Sequence, residues 1–190
     1  MPLILASAST IRRHMLSSAG VEFEAMDSNI DEAVIKARLC DAEAIASELS
    51  ASKAMSVAKS EWVIGSDSVV SVDGRLFDKP RDRNEAVDHL RFFSGRTMLL
   101  TSAVALAHGG SLDWCHVETA RLKVRPLSEA FIETYLNAEW PKVGYTVGVF
   151  RLEGLGVQLF SAIDGDYFTI LGMPLIPLLG ALRERKFLVA

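Results

Sequence analysis

Cysteine is scarce in this chain of 190 residues: Cys40 and Cys115 are the only two, far apart and without zinc-type spacing. That excludes a disulfide framework and a structural zinc site, and fits free thiols in a reducing cytosol. The four histidines form no ligand pattern. No uninterrupted apolar stretch is long enough to span a bilayer, and no basic segment leads into a long apolar one, so neither a membrane span nor a signal peptide is expected. Positive charge is in deficit, with a net charge of −4. This excludes an electrostatic nucleic-acid surface, so any phosphate ligand must be met by a local cluster of cations. A Walker A loop and a G-x-G-x-x-G fingerprint are both missing, which argues against a P-loop NTPase or a dehydrogenase.

What is present reads as one globular domain over residues 1–190, since no repeat, low-complexity segment or linker divides the chain. An apolar run, Leu3–Ala6, breaks into Ser7-Ala8-Ser9-Thr10-Ile11-Arg12-Arg13 and a helix over 9–18 closed by Gly20. Unsatisfied N–H groups and the dipole at such a helix start suit a phosphate-rich ligand, and Ser7, Ser9, Arg12 and Arg13 offer further donors. The plainer alternative is a Ser9 N-cap with two solvated arginines. Val21, Phe23 and Ala25 alternate with polar or exposed-type neighbours and predict a half-buried strand. A helix is expected over 41–59, a buried strand over 62–70 and a turn at Asp73-Gly74. There follow a helix over 84–93, strands over 97–107 and 113–124, and a helix from Ser128 to Asn137. A strand over 157–163 and a helix after Pro174 complete an α/β or α+β fold with a mixed sheet and flanking helices.

Four places break the local pattern. Lys53 falls within the apolar stripe Ala42, Ala46, Leu49 and Val57, so it either snorkels to water or points into a cleft toward an anion. Asp67 interrupts a buried strand, where a carboxylate costs several kcal/mol unless it is paired or binds metal. It either satisfies nearby backbone N–H groups or marks a site, and Gly65 beside it reads as a bulge. Asp31-Glu32 is an acidic loop pair after the second strand. Pro80 biases Lys79 toward an extended conformation that can aim its ammonium into a cleft. Cations Arg12, Arg13, Lys53 and Lys79 with carboxylates Glu32 and Asp67 describe a phosphoanhydride hydrolase: the cations hold a polyphosphate, and the carboxylates hold a divalent ion and activate water.

In order along the chain stand Leu5-Ala6-Ser7-Ala8-Ser9-x-x-Arg12, Asp31-Glu32, Lys53-Ala54, Gly65-Ser66-Asp67-Ser68, Asp78-Lys79-Pro80, Ser94-Gly95-Arg96, Glu153-Gly154, Gly165-Asp166-Tyr167 and Gly172-Met173-Pro174. Together they resemble the Maf family of nucleoside triphosphate pyrophosphatases nearly end to end. The resemblance implies a Maf/ITPase-like fold: an elongated mixed sheet with flanking helices, two lobes around a central cleft, in a cytoplasmic and often dimeric protein. It implies hydrolysis of a nucleoside triphosphate, including modified or non-standard ones, to the monophosphate and pyrophosphate. Asp67 would be the proton acceptor, and Glu32 and Asp67 would hold Mg²⁺ or Mn²⁺. Ser7, Ser9, Arg12, Arg13, Lys53 and Lys79 would bind the triphosphate. Ile11, Ser68 and Glu153 occupy the positions tied to base choice. Ile11 matches neither the Arg of the dTTP/UTP branch nor the aromatic of the 7-methyl-GTP branch, while Glu153 matches the latter. An ionised carboxylate accepts but cannot donate, which suits the N–H-rich edge of guanine. The alternatives are a dTTP/UTP-type pyrophosphatase and a nucleotide-binding regulator of cell division that needs no turnover. The regulator would need the cations but not Asp67 and Glu32.

Overall fold

The structure is a computed structural model that describes residues 2–57 and 60–189. Seven strands form one mixed sheet: β1 (Leu3–Ala6), β2 (Glu24–Met26), β3 (Trp62–Val72), β4 (Arg75–Phe77), β5 (Thr97–His108), β6 (Ser111–Val124) and β7 (Phe160–Asp164). Their order is β2-β1-β3-β5-β6-β7, with β4 paired to β3. β1 runs parallel to β2 and β3, whereas β3–β4 and β6–β7 are antiparallel. The helices are α1 (Thr10–Ser18), α2 (Glu32–Arg38), α3 (Ala42–Ser56), α4 (Arg83–Phe93), α5 (Glu129–Glu139), α6 (Tyr167–Leu171) and α7 (Leu175–Glu184). This is the expected α/β class with helices flanking a mixed sheet. No helix among the described residues is long and apolar enough to cross a membrane.

The chain divides into two compact units. The first comprises Met1–Ser68, Thr101–Thr119 and Asp166–Ala190. In it the apolar run at β1 is buried on both faces, as parallel strands usually are. Side chains alternate across the sheet, so Leu3 and Leu5 pack with Met15 and Leu16 of α1 and Leu178 of α7. Ile4 and Ala6 face the other way, against Val63 and Val57. Ala51 and Ala54 of α3 pack on Ala105 and Ala107 of β5. The second unit comprises Val69–Leu100 and Ala120–Gly165. Its α4 presents Phe93 and His89 edge-on or tilted to Phe77 of β4 and to each other, and ion pairs Arg83–Glu133 and Arg91–Glu129 join α4 to α5.

Several expectations are corrected. The second strand covers only Glu24–Met26 and is exposed throughout, so Val21 and Phe23 are buried or half-buried ahead of it rather than within it. Asp31-Glu32 is no loop: Asp31 accepts from the Ala33 N–H and caps α2. The helix expected over 41–59 ends at Ser56, and residues 58 and 59 lie outside the described residues. Toward β1, Gly65 is an ordinary paired residue, because the register runs unbroken through Ala6↔Gly65. A Cβ there would lie 2.1 Å from the Ser50 carbonyl oxygen and 2.5 Å from the Ala54 nitrogen. The glycine therefore lets α3 touch the strand backbone. Residues 155–159 form 3-10 turns, so the strand expected from 157 begins at Phe160. The short elements β4 and α6 had no periodic signal long enough to read.

Candidate active site

In open α/β sheets ligands gather beyond the carboxyl ends of parallel strands. β1 and β3 are such a pair, and Ala6↔Gly65 is their last paired position. The chain beyond it supplies Ser7–Ser9 and α1 on one side and Ser66, Asp67 and Ser68 on the other. α1 begins with Ser9 in an extended conformation, with no side-chain cap bond and no acidic residue in its first turn. Its positive dipole end is thus unneutralised. Ser7 is buried, and its hydroxyl accepts from the Ser9 N–H at 3.2 Å. Arg13 folds back on this loop, donating to the Ser7 carbonyl at 3.1 and 3.3 Å and approaching Asp27 at 3.6 Å.

Lys53 does not snorkel. The close contact at Gly65 sets α3 directly on β3, and Lys53 places its ammonium 2.5 Å from Asp67 Oδ1 and 2.7 Å from Glu32 Oε1. The side chains of Lys53 and Asp67 are each 10% exposed, that of Glu32 41%. One cation thus compensates a buried carboxylate and a second that opens to water, with Lys36 also 3.6 Å from Glu32. A buried carboxylate without a partner is costly, and the Lys53 ammonium is the charge partner that compensates Asp67. Lys53 reaches both carboxylates from one position, so they converge on one point at which hard oxygen ligands face a cation. Among the described residues no group of three or more His, Cys, Asp or Glu could hold a metal ion. Two carboxylate oxygens nevertheless fit an ion that arrives with phosphate oxygens, the usual Mg²⁺ arrangement.

Arg12 lies half-buried on α1. Burial pulls its guanidinium below the ordinary arginine value, opposed by the charges of Asp67 and Glu32. It stays protonated at any working pH. Its Nη2 donates to Ser68 Oγ, while Nε and Nη1 donate to the carbonyls of Gly172 and Ser66. Ile11, beside it, is half-buried. The first unit therefore brings Glu32, Lys53 and Asp67 into direct contact and gathers Ser7, Ser9, Ile11, Arg12, Arg13 and Ser68 along β1, α1 and β3. Lys79 and Glu153 belong to the second unit, both exposed: Lys79 follows β4, and Glu153 lies in the turn before the 3-10 segment Leu155–Leu159. The sequence reading missed Ser66, Ser102, Thr169 and the Gly172 carbonyl as partners around Arg12. Ser66 and Gly172 were signalled only by membership of the Gly65–Ser68 and Gly172–Pro174 stretches, and Ser102 and Thr169 by nothing.

The Maf-like protein family profile matches residues 2–185. A protein of Rhizobium meliloti (strain 1021) named 7-methyl-GTP pyrophosphatase is 47% identical over 189 residues, 96% of this chain and 95% of its own. One from Nitrobacter hamburgensis, named nucleoside triphosphate pyrophosphatase, is 46% identical over 192 residues, 98% of this chain and 95% of its own. A 7-methyl-GTP pyrophosphatase of Rhizobium etli is 46% identical over 189 residues, again 96% and 95%.

Proposed function

The chain belongs to the family of Maf-like proteins, and on that premise we propose that it is a nucleoside triphosphate pyrophosphatase of the 7-methyl-GTP branch. It is a hydrolase of acid anhydrides: water adds to phosphorus, the α–β phosphoanhydride P–O bond breaks, and the monophosphate and pyrophosphate leave. The observation that supports this best is the Glu32–Lys53–Asp67 contact at the carboxyl end of the parallel strands. Phosphoryl chemistry of this kind needs positioning and charge neutralisation more than covalent catalysis. Asp67 takes the proton of the attacking water, and Lys53 pairs with it until a phosphate oxygen draws the ammonium away. Arg12, Arg13, Lys53 and Lys79, with Ser7, Ser9 and the start of α1, hold the triphosphate. Glu32 and Asp67 would hold Mg²⁺ or Mn²⁺, which when bound offsets the negative charge of the phosphate oxygens.

Base choice rests with Ile11, Ser68 and Glu153. A carboxylate at 153 accepts from guanine N1–H and N2–H and complements the positive ring of a 7-methylated guanine. The exposed Cys40 and half-exposed Cys115, both free, fit a cytoplasmic enzyme, and the net charge of −4 leaves nucleic acid out of the reading. One catalytic domain over residues 1–190 completes it. The test is incubation with Mg²⁺ and a panel of common and modified nucleoside triphosphates, with pyrophosphate and orthophosphate measured separately. Pyrophosphate with preference for 7-methyl-GTP is expected. Preference for dTTP and UTP overturns the branch. Tight nucleotide binding without any release would make the protein a binding regulator instead.

A further inference from the structure

Arg12 has five N–H bonds, and three end on protein atoms: Nε on the Gly172 carbonyl at 2.9 Å, Nη1 on the Ser66 carbonyl at 2.9 Å, Nη2 on Ser68 Oγ at 3.1 Å. Gly172 accommodates this with φ +110°, and a Cβ there would press to 3.3 Å from Ser68 Oγ. The Gly172 carbonyl oxygen faces three donors, since Ser66 Oγ and Ser68 Oγ each lie 3.1 Å from it. A carbonyl has two lone pairs, so one donor is surplus. Ser68 Oγ has a second acceptor, Ser102 Oγ of β5, at 2.8 Å. Ser102 is fully buried, and its own proton points to the Thr169 carbonyl at 2.8 Å. Only Ser68 can then donate across the Ser68–Ser102 contact.

The protons therefore run one way, from the guanidinium to Ser68, to Ser102, to the Thr169 carbonyl, and each donor polarises the next. The far end is anchored twice over. Thr169 Oγ1 donates to Glu118 Oε2 of β6 at 2.6 Å, and its N–H donates to Asp166 Oδ1 at 2.9 Å. We propose that Ser102 is a positioning residue for the triphosphate: through Ser68 it fixes the plane of the Arg12 guanidinium, so that the two remaining N–H bonds are held toward phosphate oxygens. This rests on the reading of Arg12 as a triphosphate donor.

A purely structural role makes a different prediction. In Ser102→Ala the Thr169 carbonyl keeps the Gly172 N–H at 3.0 Å, and the proton of the half-buried Ser68 must compete with Arg12 Nε and Ser66 Oγ for the Gly172 oxygen at 3.1 Å. The fold survives while the orientation of Ser68 changes. The test is a cycle of Ser102→Ala, Ser68→Ala and the double variant, with steady-state kinetics, pyrophosphate binding by calorimetry and the exchange rate of the Arg12 Hε signal by NMR. Ser102→Ala should raise KM and the pyrophosphate Kd about tenfold, the scale of one charge-assisted hydrogen bond. It should change kcat by less than about threefold and speed Hε exchange. The double variant should be no worse than Ser68→Ala, because the two residues act in series. Additive losses, or unchanged KM, Kd and Hε exchange in Ser102→Ala, overturn the proposal. Wild-type protein without turnover would sink the functional reading, whereas pyrophosphate binding and Hε exchange would still decide the relay.

Discussion

Gly65→Ala is the most informative single substitution, because its cost is set by backbone on both sides. The added Cβ would sit 2.1 Å from the Ser50 carbonyl oxygen, 2.5 Å from the Ala54 nitrogen and 3.0 Å from the Ala54 Cβ. Ordinary contact begins at 3.4 Å, so α3 must retreat from β3 by about 1.3 Å. No side chain can rotate out of the way. Overpacking costs typically about 1–3 kcal/mol, and obstruction by main chain puts this site at the upper end, about 3 kcal/mol. At roughly 2–4 °C per kcal/mol for a chain of this size, the melting temperature should fall by about 6–12 °C. The same retreat moves Lys53, adjacent to Ala54, away from Asp67. A misplacement near 1 Å can cost about 10²-fold in rate, so pyrophosphate release should fall by more than the loss of folded protein explains. Gly180→Ala is the control: it lies in α7 with nothing within 4 Å of its Cβ position, and should gain about 0.5–1 kcal/mol. Melting curves by circular dichroism and pyrophosphate release at 25 °C measure both effects. A Gly65→Ala protein that melts like wild type and turns over normally would refute the placement of α3 on β3.

Asp67→Asn should lower pyrophosphate release by about 10²–10⁴-fold, the range of a general base, with nucleotide binding retained in equilibrium dialysis. Lys53 keeps Glu32 at 2.7 Å, so the stability loss should stay below the roughly 3–5 kcal/mol of a fully orphaned buried charge; equal turnover in this variant would remove Asp67 from the reaction. Glu32→Gln should raise the Mg²⁺ concentration needed for half-maximal rate, read from a Mg²⁺ titration, because one of the two carboxylates proposed to hold the ion is neutralised. His89 supplies a pH test: it is 8% exposed, its Nδ1 has no hydrogen-bond partner among the described residues, and burial holds it below the ordinary imidazole value of 6.5. Glu85, Asp88 and Asp78 pull the other way and Arg75 adds to the depression. The native state therefore binds fewer protons than the unfolded chain, so stability is full above 6.5 and declines as pH falls below it. His89→Leu should flatten the melting temperature between about pH 7 and 5, and an unchanged slope would assign that decline to other groups.

Residues that offended their local pattern were legible from the sequence. Lys53 in an apolar stripe and Asp67 in a buried strand each imply a cost of several kcal/mol, and the structure shows that cost met by one mutual contact. Glu32 was singled out from the sequence as one of an acidic pair but misplaced in a loop. α2 is only seven residues long with Ile35 its one buried side chain, so it carries no apolar stripe for a periodicity argument to detect. The second strand failed for the opposite reason: Val21 and Phe23 are buried or half-buried as the alternation implies, but Ala25 is exposed and only Glu24–Met26 pairs with β1. Side-chain pattern reports burial and is silent on the ladder.

The least legible part is the one that holds Arg12. Serines and threonines in strands violate nothing, and two of the acceptors, the carbonyls of Ser66 and Gly172, are backbone atoms that every residue possesses. The Gly172 oxygen is 160 residues away along the chain. A charge is conspicuous in a sequence because its burial is expensive, whereas a hydroxyl exchanges water for a neighbour at small net gain and leaves no trace. The same arithmetic sets what substitution does at the two kinds of position. Removing Lys53 or Asp67 strands a charge and acts on stability and chemistry together, while removing the Ser102 hydroxyl strands no charge and acts on where Arg12 points. Sequence reading thus finds the groups that do chemistry sooner than the groups that aim them, and the second kind is recovered only by counting protons around a buried carbonyl.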